Sequence, residues 1–152
     1  MKLVFGEDKL VADWVYGTLR LDPPATYTSI GVADGVRLVA GVVYSNFRGC
    51  DIEMVAASST TRWLSRGRLA AFFAYPFEQL GCRRVTGIVD KGNKHSRRWM
   101  LKLGFKLEGV AREAMDNGHD ACIYGLLRRE CRWITGEQPD GQEVRRLGAA
   151  AA

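Results

Sequence analysis

Three β-rich runs follow one another closely between Tyr27 and Ala57, and this stretch limits the possible folds more than any other. Tyr27–Val32, Val36–Tyr44 and Asp51–Ala57 are populated by Val, Ile, Thr and Tyr. Ala33-Asp34-Gly35 carries the Asp-Gly signature of a tight hairpin turn, and Asn46-Phe47-Arg48-Gly49 makes a second short link. Parallel neighbours would need a crossover of a dozen or more residues, which neither link supplies. The three runs are therefore expected to form an antiparallel meander.

The flanking segments add helices and strands around it. Met1–Phe5 reads as a short strand. From Glu7, the positions Leu10, Val11, Trp14, Val15 and Leu19 follow the helical period, and Asp22-Pro23-Pro24 ends that helix. Leu64, Leu69, Phe72, Phe73, Phe77 and Leu80 lie near one face of a second helix, with Gly81 as its cap and Pro76 expected to kink it. Arg84–Val89 reads as a strand, Asn93–Leu103 as a helix stopped by Gly104, and Phe105–Ala114 with Ala121–Leu127 as a hairpin around Asp116-Asn117-Gly118. The order β-α-β-β-β-α-β-α-β-β predicts an α+β fold, a mostly antiparallel sheet flanked by helices. Residues 1–135 are expected to form one domain. Residues 136–152, polar and ending in alanines, are expected to be a disordered or appended tail.

Composition narrows the function classes. With 152 residues, 47% of them hydrophobic and 26% charged, the chain suits one soluble domain. Cys50, Cys82, Cys122 and Cys131 are far apart, without a Cys-x-x-Cys pair or a histidine cluster. That spacing argues against a metal site and a disulfide framework, and for reduced thiols in a cytoplasmic protein. No apolar run approaches the roughly 18 residues of a membrane span, and none resembles a signal peptide. The net charge of +5 is concentrated between Arg62 and Lys102, where only Glu78 and Asp90 oppose the basic residues. Such a middle suits an anionic partner, nucleic acid or a phosphorylated ligand, or else a solvated face.

Chemistry centres on Ser58–Arg68, which joins the Asp51 strand to the next helix. Small and arginine residues there meet a helix N-terminus, where free N–H groups and the helix dipole favour an anion. The segment reads either as a pyrophosphate cradle or as a polar helix cap.

Further residues carry a family resemblance. Arg62-Trp63-Leu64-Ser65-Arg66-Gly67 resembles the Gln/Arg-x-x-Gly-x-Gly/Ala loop of the GNAT superfamily, with Ser65 in place of the middle glycine. Asn93-Lys94-His95-Ser96 followed by Leu103-Gly104-Phe105 and Glu108-Gly109 is similar to that superfamily's Asn-x-x-Ser/Ala…Leu-Gly-Phe-x-x-Glu-Gly block. Arg112, Gly118, Asp120, Tyr124 and Leu127 resemble the end of its RimJ/RimL-like branch. The resemblance implies a GNAT fold and an N-acetyltransferase taking an acetyl group from acetyl-CoA to an amine on a protein N-terminus, a lysine or a small molecule. It implies that the Asp51 and Arg84 strands splay apart to admit the pantetheine arm, paired with backbone groups around Met54, Val55 and Ala57. Arg62, Ser65, Arg66, Gly67 and Arg68 would hold the pyrophosphate. Asn93 and Ser96 would hold the cofactor near the following helix, and the Arg66, Arg68, Lys94 and Arg97 region could meet the 3′-phosphate.

A neutral amine is the attacking species, so a proton acceptor is needed. Asp51 and Glu53 lie two apart on a strand and share a face, with Glu53 the first choice as base. Superfamily members often carry a tyrosine acid seven residues after the Asn. Met100 stands there, leaving Ser96, Tyr124 or water for the role. His95 and His119 read as surface residues without a catalytic part. Two rival functions stay open: a non-catalytic acyl-CoA-binding domain, suggested by Ser65 and Met100, and a basic nucleic-acid module, for which no binding motif is found. A homodimer stays open as an assembly.

Overall fold

A computed structural model describes residues 1–134, so the tail expectation lies outside the described residues. The elements are β1 (Lys2–Val4), α1 (Asp8–Leu19), β2 (Tyr27–Asp34), β3 (Arg37–Ser45), β4 (Asp51–Ser58), α2 (Arg66–Ala74), β5 (Arg84–Asp90), α3 (Lys94–Leu103), β6 (Lys106–Ala111) and β7 (Ala121–Leu127). Short 3-10 turns precede α2 at Thr61–Trp63 and follow β7 at Arg128–Glu130. One seven-stranded sheet runs β1-β2-β3-β4-β5-β7-β6. Every neighbouring pair is antiparallel except β4 with β5, which is parallel.

The meander forms as its short links require, with a tighter first turn than the sequence suggests. Asp34 pairs with Arg37, so Gly35 and Val36 alone make the loop, and Gly35 takes the φ of +61° that a primed hairpin turn demands. A bulge on β3, where Val32 pairs with Ala40 and Ala33 with Leu38, corrects the register.

Hydrophobic patterning sends each helix to its own face. Val11, Ala12, Val15 and Tyr16 of α1 pack with Val43 and Ala57 on one side of the sheet. The cross-strand pair Gly31 and Gly41 lies directly beneath α1. A Cβ on Gly41 would sit 2.7 Å from Val15 and 2.8 Å from Val11, so the missing side chains set how closely helix and sheet approach. The larger core lies on the other face, around Phe72, Phe73, Phe77, Tyr44, Phe105 and Leu126.

Two expectations are corrected. The second helix does not continue as a kinked α-helix to Leu80. It ends at Ala74 and widens into a π-turn over Tyr75–Gln79, closed by the Leu80 N–H on the Tyr75 carbonyl at 3.1 Å. Pro76 has no N–H to give the Phe72 carbonyl, and the buried Tyr44 hydroxyl donates to that carbonyl at 2.6 Å instead. The strand expected over Phe105–Ala114 spans only Lys106–Ala111. Glu113, at φ +53°, turns the chain away, and its N–H is held by Asp120 Oδ1 at 3.0 Å.

Candidate active site

Beyond its first three residues, β4 has no partner in β5. Parallel pairing joins Asp51 to Arg84, Ile52 to Val85 and Glu53 to Thr86, and stops there. From Met54 onward β4 pairs only with β3, while β5 from Gly87 onward pairs only with β7. Every second amide and carbonyl of Met54–Ser58 therefore points into a gap. The gap opens a cleft of about 740 Å³. One wall is Met54–Ser58, and the facing wall is Ile88–Asp90 with Asn93, Ser96 and Met100. Trp63, Leu64, Leu69 and Phe72 line one side, and the residues ending α1 (Thr18–Leu21) and the 115–119 loop line another.

The closed end of the gap is pinned by charge. Buried Asp51 accepts from the Thr86 hydroxyl at 2.8 Å and from the Arg48 guanidinium at 2.7 Å, with Arg84 Nε at 3.6 Å. Arg84 also donates to Thr86 Oγ1 at 2.9 Å and meets Glu108 at 2.6 Å, linking β4, β5 and β6. The Glu108 carboxylate holds the Arg84 guanidinium above its ordinary range. Glu53 lies one residue short of the cleft wall, on the Asp51 face, half-buried and accepting from Asn46 Nδ2 at 3.0 Å.

Of the residues expected to hold the cofactor, Met54, Val55, Ala57, Asn93 and Ser96 line the cleft. Asn93 caps α3, its Oδ1 accepting from the Ser96 N–H at 3.1 Å. Arg62 and Ser65–Arg68 stand beside the cleft, at the start of α2. Ser65 caps that helix by accepting from the Arg68 N–H at 3.2 Å, which accounts for a serine where the loop pattern has glycine. Nothing stands within 4 Å of where a Gly67 Cβ would be, so the first turn of α2 is open above that residue. Arg68 folds back onto the Trp63 and Arg62 carbonyls at 2.6 and 3.2 Å. Among the described residues, no carboxylate pairs with Arg62, Arg66 or Arg68. Arg97 instead spans Tyr124 Oη and the Lys91 carbonyl, both at 3.2 Å. Tyr124 is buried in β7 with its hydroxyl so engaged, and it is not part of the cleft wall.

Sequence reasoning passed over His119 and His95, both of which line the cleft. His119 Nδ1 lies 3.0 and 3.1 Å from the two Asp90 oxygens. Asp90 also accepts from Asn117 Nδ2 and the Gly92 N–H, each at 2.8 Å. The Asn117 amide foremost, then the Gly92 N–H and His119, hold the Asp90 carboxyl below its usual range. The Trp99 indole donates to His95 Nε2 at 2.9 Å. Among the described residues, no three His, Cys, Asp or Glu side chains gather as a metal site, all four cysteines are free, and no helix is long and apolar enough to cross a membrane.

Similarity to known proteins follows this geometry. No protein-family model matches the chain. A 58-residue stretch is 38% identical to the Uncharacterized N-acetyltransferase YoaA of Bacillus subtilis (strain 168), covering 36% of this chain and 33% of that protein. A crystal structure named "Probable acetyltransferase" superposes with a TM-score of 0.61 at 25% identity, over 70% of this chain and 63% of the other. The ribosomal-protein-S5-alanine acetyltransferase of Vibrio fischeri shares the fold at a TM-score of 0.62 and 14% identity, over 88% and 94% of the two chains. The first two matches thus span less than two thirds of the proteins they match. A mixed seven-stranded sheet whose central parallel pair splays open, together with these superpositions, gives the chain the fold of the GNAT acetyltransferases.

Proposed function

We propose that this protein transfers the acetyl group of acetyl-CoA to an amine, by direct attack while both substrates occupy the cleft. The observation that carries the reading is the unpaired edge of β4 over Met54–Ser58, facing a cleft deep enough for an extended arm. An amide-bearing chain such as pantetheine can lie against that edge as an added strand, its amides paired with backbone groups that otherwise lack partners. A β4 N–H at the closed end would then polarise the thioester carbonyl, where charge develops as the amine attacks.

The residues present suit CoA. The open turn above Gly67, with Arg62 and Arg66 paired to no carboxylate among the described residues, offers free N–H groups and positive charge to a pyrophosphate. Lys94 and Arg98 extend that charge along α3 towards a further phosphate. The RimJ/RimL-like assignment rests on the sequence block from Asn93 to Leu127, and likeness in fold to the Vibrio fischeri enzyme is consistent with it. A second reading, acyl-CoA binding without turnover, is favoured by one feature, the thioether of Met100 on the cleft wall.

Thiol release from acetyl-CoA with a panel of amines tests both readings. Amine-dependent release supports transfer. CoA binding with no release from any amine supports the second reading, and no CoA binding overturns both.

A further inference from the structure

The loop between β6 and β7 presents an imidazole to the cleft and holds it from several sides. The loop is closed by the Met115 N–H on the His119 carbonyl at 3.0 Å and by the Gly118 N–H on the Met115 carbonyl at 2.9 Å. The His119 N–H donates to Asn117 Oδ1 at 2.9 Å, and the Asn117 amide donates to Asp90 at 2.8 Å. Asp90 in turn faces His119 Nδ1, so ring, carboxylate and loop form one closed circuit at the end of β5. An ionised carboxylate only accepts hydrogen bonds. Nδ1 therefore carries the proton in the neutral ring, and Nε2 keeps its lone pair.

The ring lines the same cleft as the unpaired edge of β4, on the side formed by its own loop and the end of α1. The 115–119 loop and the end of α1 flank the cleft, while the arginine loop and α3 supply the charge suited to CoA. The side chain of His119 remains 58% exposed, so its free nitrogen is accessible. Charged and titratable groups sharing the cleft wall are Asp90 on β5, Asp116 in the same loop, His95 on α3 and Arg20 after α1. Lys91, next to Asp90, is engaged by Asp120 at 3.7 Å, and Glu113 stands at the start of the loop.

We propose that His119, oriented by Asp90, takes the proton from the ammonium form of the acceptor. The proposal rests on the acetyl-transfer reading. One N–H bond of the ammonium breaks as Nε2–H forms, and solvent later collects that proton. The neutral amine forms the C–N bond, the C–S bond breaks with its electron pair on sulfur, and a second amine proton ends on the thiolate.

The test is kcat/KM between pH 6 and 10 for a short peptide with a free N-terminus and no lysine, and for an N-terminally blocked lysine peptide. Wild type, His119→Gln, His119→Ala and Asp90→Asn are compared, with CoA affinity measured by calorimetry for each. Expected is a loss of about 100-fold in His119→Gln at pH 7 with whichever peptide the wild type acetylates. That loss shrinks as pH passes the amine's own pKa, CoA affinity is unchanged, and added imidazole partly restores His119→Ala, a gain no purely structural role would produce. Asp90→Asn is expected to lose about tenfold, as the ring loses its orientation. Equal activity of wild type and His119→Gln at every pH overturns the proposal while leaving acetyl transfer standing. Wild type that binds no CoA, or turns over neither peptide nor any other amine, overturns the transfer reading and this proposal with it.

Discussion

Removing the Asp51 carboxylate should loosen the point from which the cleft opens. Asp51 holds the Thr86 hydroxyl at 2.8 Å and faces Arg84 at 3.6 Å, the two β5 residues that bracket the last stretch of β4–β5 pairing. The contact with Arg48 counts for little, because that guanidinium is 66% exposed and screened by water. The Thr86 bond to a charged acceptor is worth about 1.5–3 kcal/mol, and leaving the hydroxyl donor and the half-buried Arg84 charge less satisfied adds to the loss. Retained contact of Arg84 with Glu108 limits that addition. Asp51→Ala is therefore expected to cost about 2–4 kcal/mol out of a typical 5–15. In urea this moves the unfolding midpoint down by about 1–2 M at constant m-value. CoA should bind more weakly too, since the gap begins one residue beyond Glu53. Asp51→Asn, which keeps an acceptor for Thr86, should cost roughly half as much. A loss under 1 kcal/mol in Asp51→Ala would show that backbone pairing alone holds the apex. A stable Asp51→Asn that loses 100-fold in kcat would instead put this carboxylate in the chemistry.

CoA at about 100 times its dissociation constant should add roughly 2.7 kcal/mol to stability, read as a rise in melting temperature; Gly67→Asp should abolish the rise through its charge, since its Cβ meets open space. With His119 as proton acceptor, Glu53→Gln is expected to lower kcat at pH 7 by less than about tenfold; a 100-fold loss at unchanged CoA affinity would transfer the role to Glu53. Burial pushes the Cys82 thiol up from 9.0 to about 11, so the folded state disfavours the thiolate and the unfolded chain binds fewer protons once pH exceeds 9. The part of the stability that this thiol controls should be level below pH 9 and fall by on the order of 2 kcal/mol between pH 9 and 11, a slope that Cys82→Ala flattens in denaturant titrations across that range. An unchanged slope in Cys82→Ala would exclude that thiol as the source.

The meander, α1 and α3 were legible because each rests on local signals that tertiary packing reinforces. Gly35 fixes the first hairpin, Asn93 and Gly104 bracket α3, and the apolar stripe of α1 meets glycines on the sheet. The stretch from Arg66 to Gln79 was misread because the π-turn depends on a partner 28 residues away. The Tyr44 hydroxyl that takes over the Phe72 carbonyl leaves no trace in the local sequence. At the site, small residues and arginines marked the anion loop, since helix-start chemistry is local. Spacing could not show that Arg68 and Arg97 would spend hydrogen bonds on nearby carbonyls and a tyrosine. Nor could it show that Asp51, two residues from Glu53, would be enclosed by Thr86 and Arg84.

His119 escaped the sequence for a reason that also bears on the chemistry. Its partner Asp90 lies 29 residues earlier, on another strand, and only the β5–β7 pairing from Asp90 with Ala121 brings the two together. The signal that could have raised the question was Met100, at the position where the superfamily this sequence resembles often has a tyrosine. Gly87 on β5 lies under that side chain, and a Cβ there would overlap the Met100 methyl. The thioether thus lies across bare backbone one residue past the last β4–β5 pair, making that part of the wall apolar where a proton donor could have stood. Tyr124 is buried with its hydroxyl on Arg97 and stands off the cleft wall, and Ser96 on that wall brings only an alcohol, a far weaker base than an imidazole. An apolar wall at the apex does not move protons. The proton must then pass through solvent or through ionisable groups at the margins of the cleft, and the imidazole held by Asp90 is the one with a carboxylate fixing its tautomer.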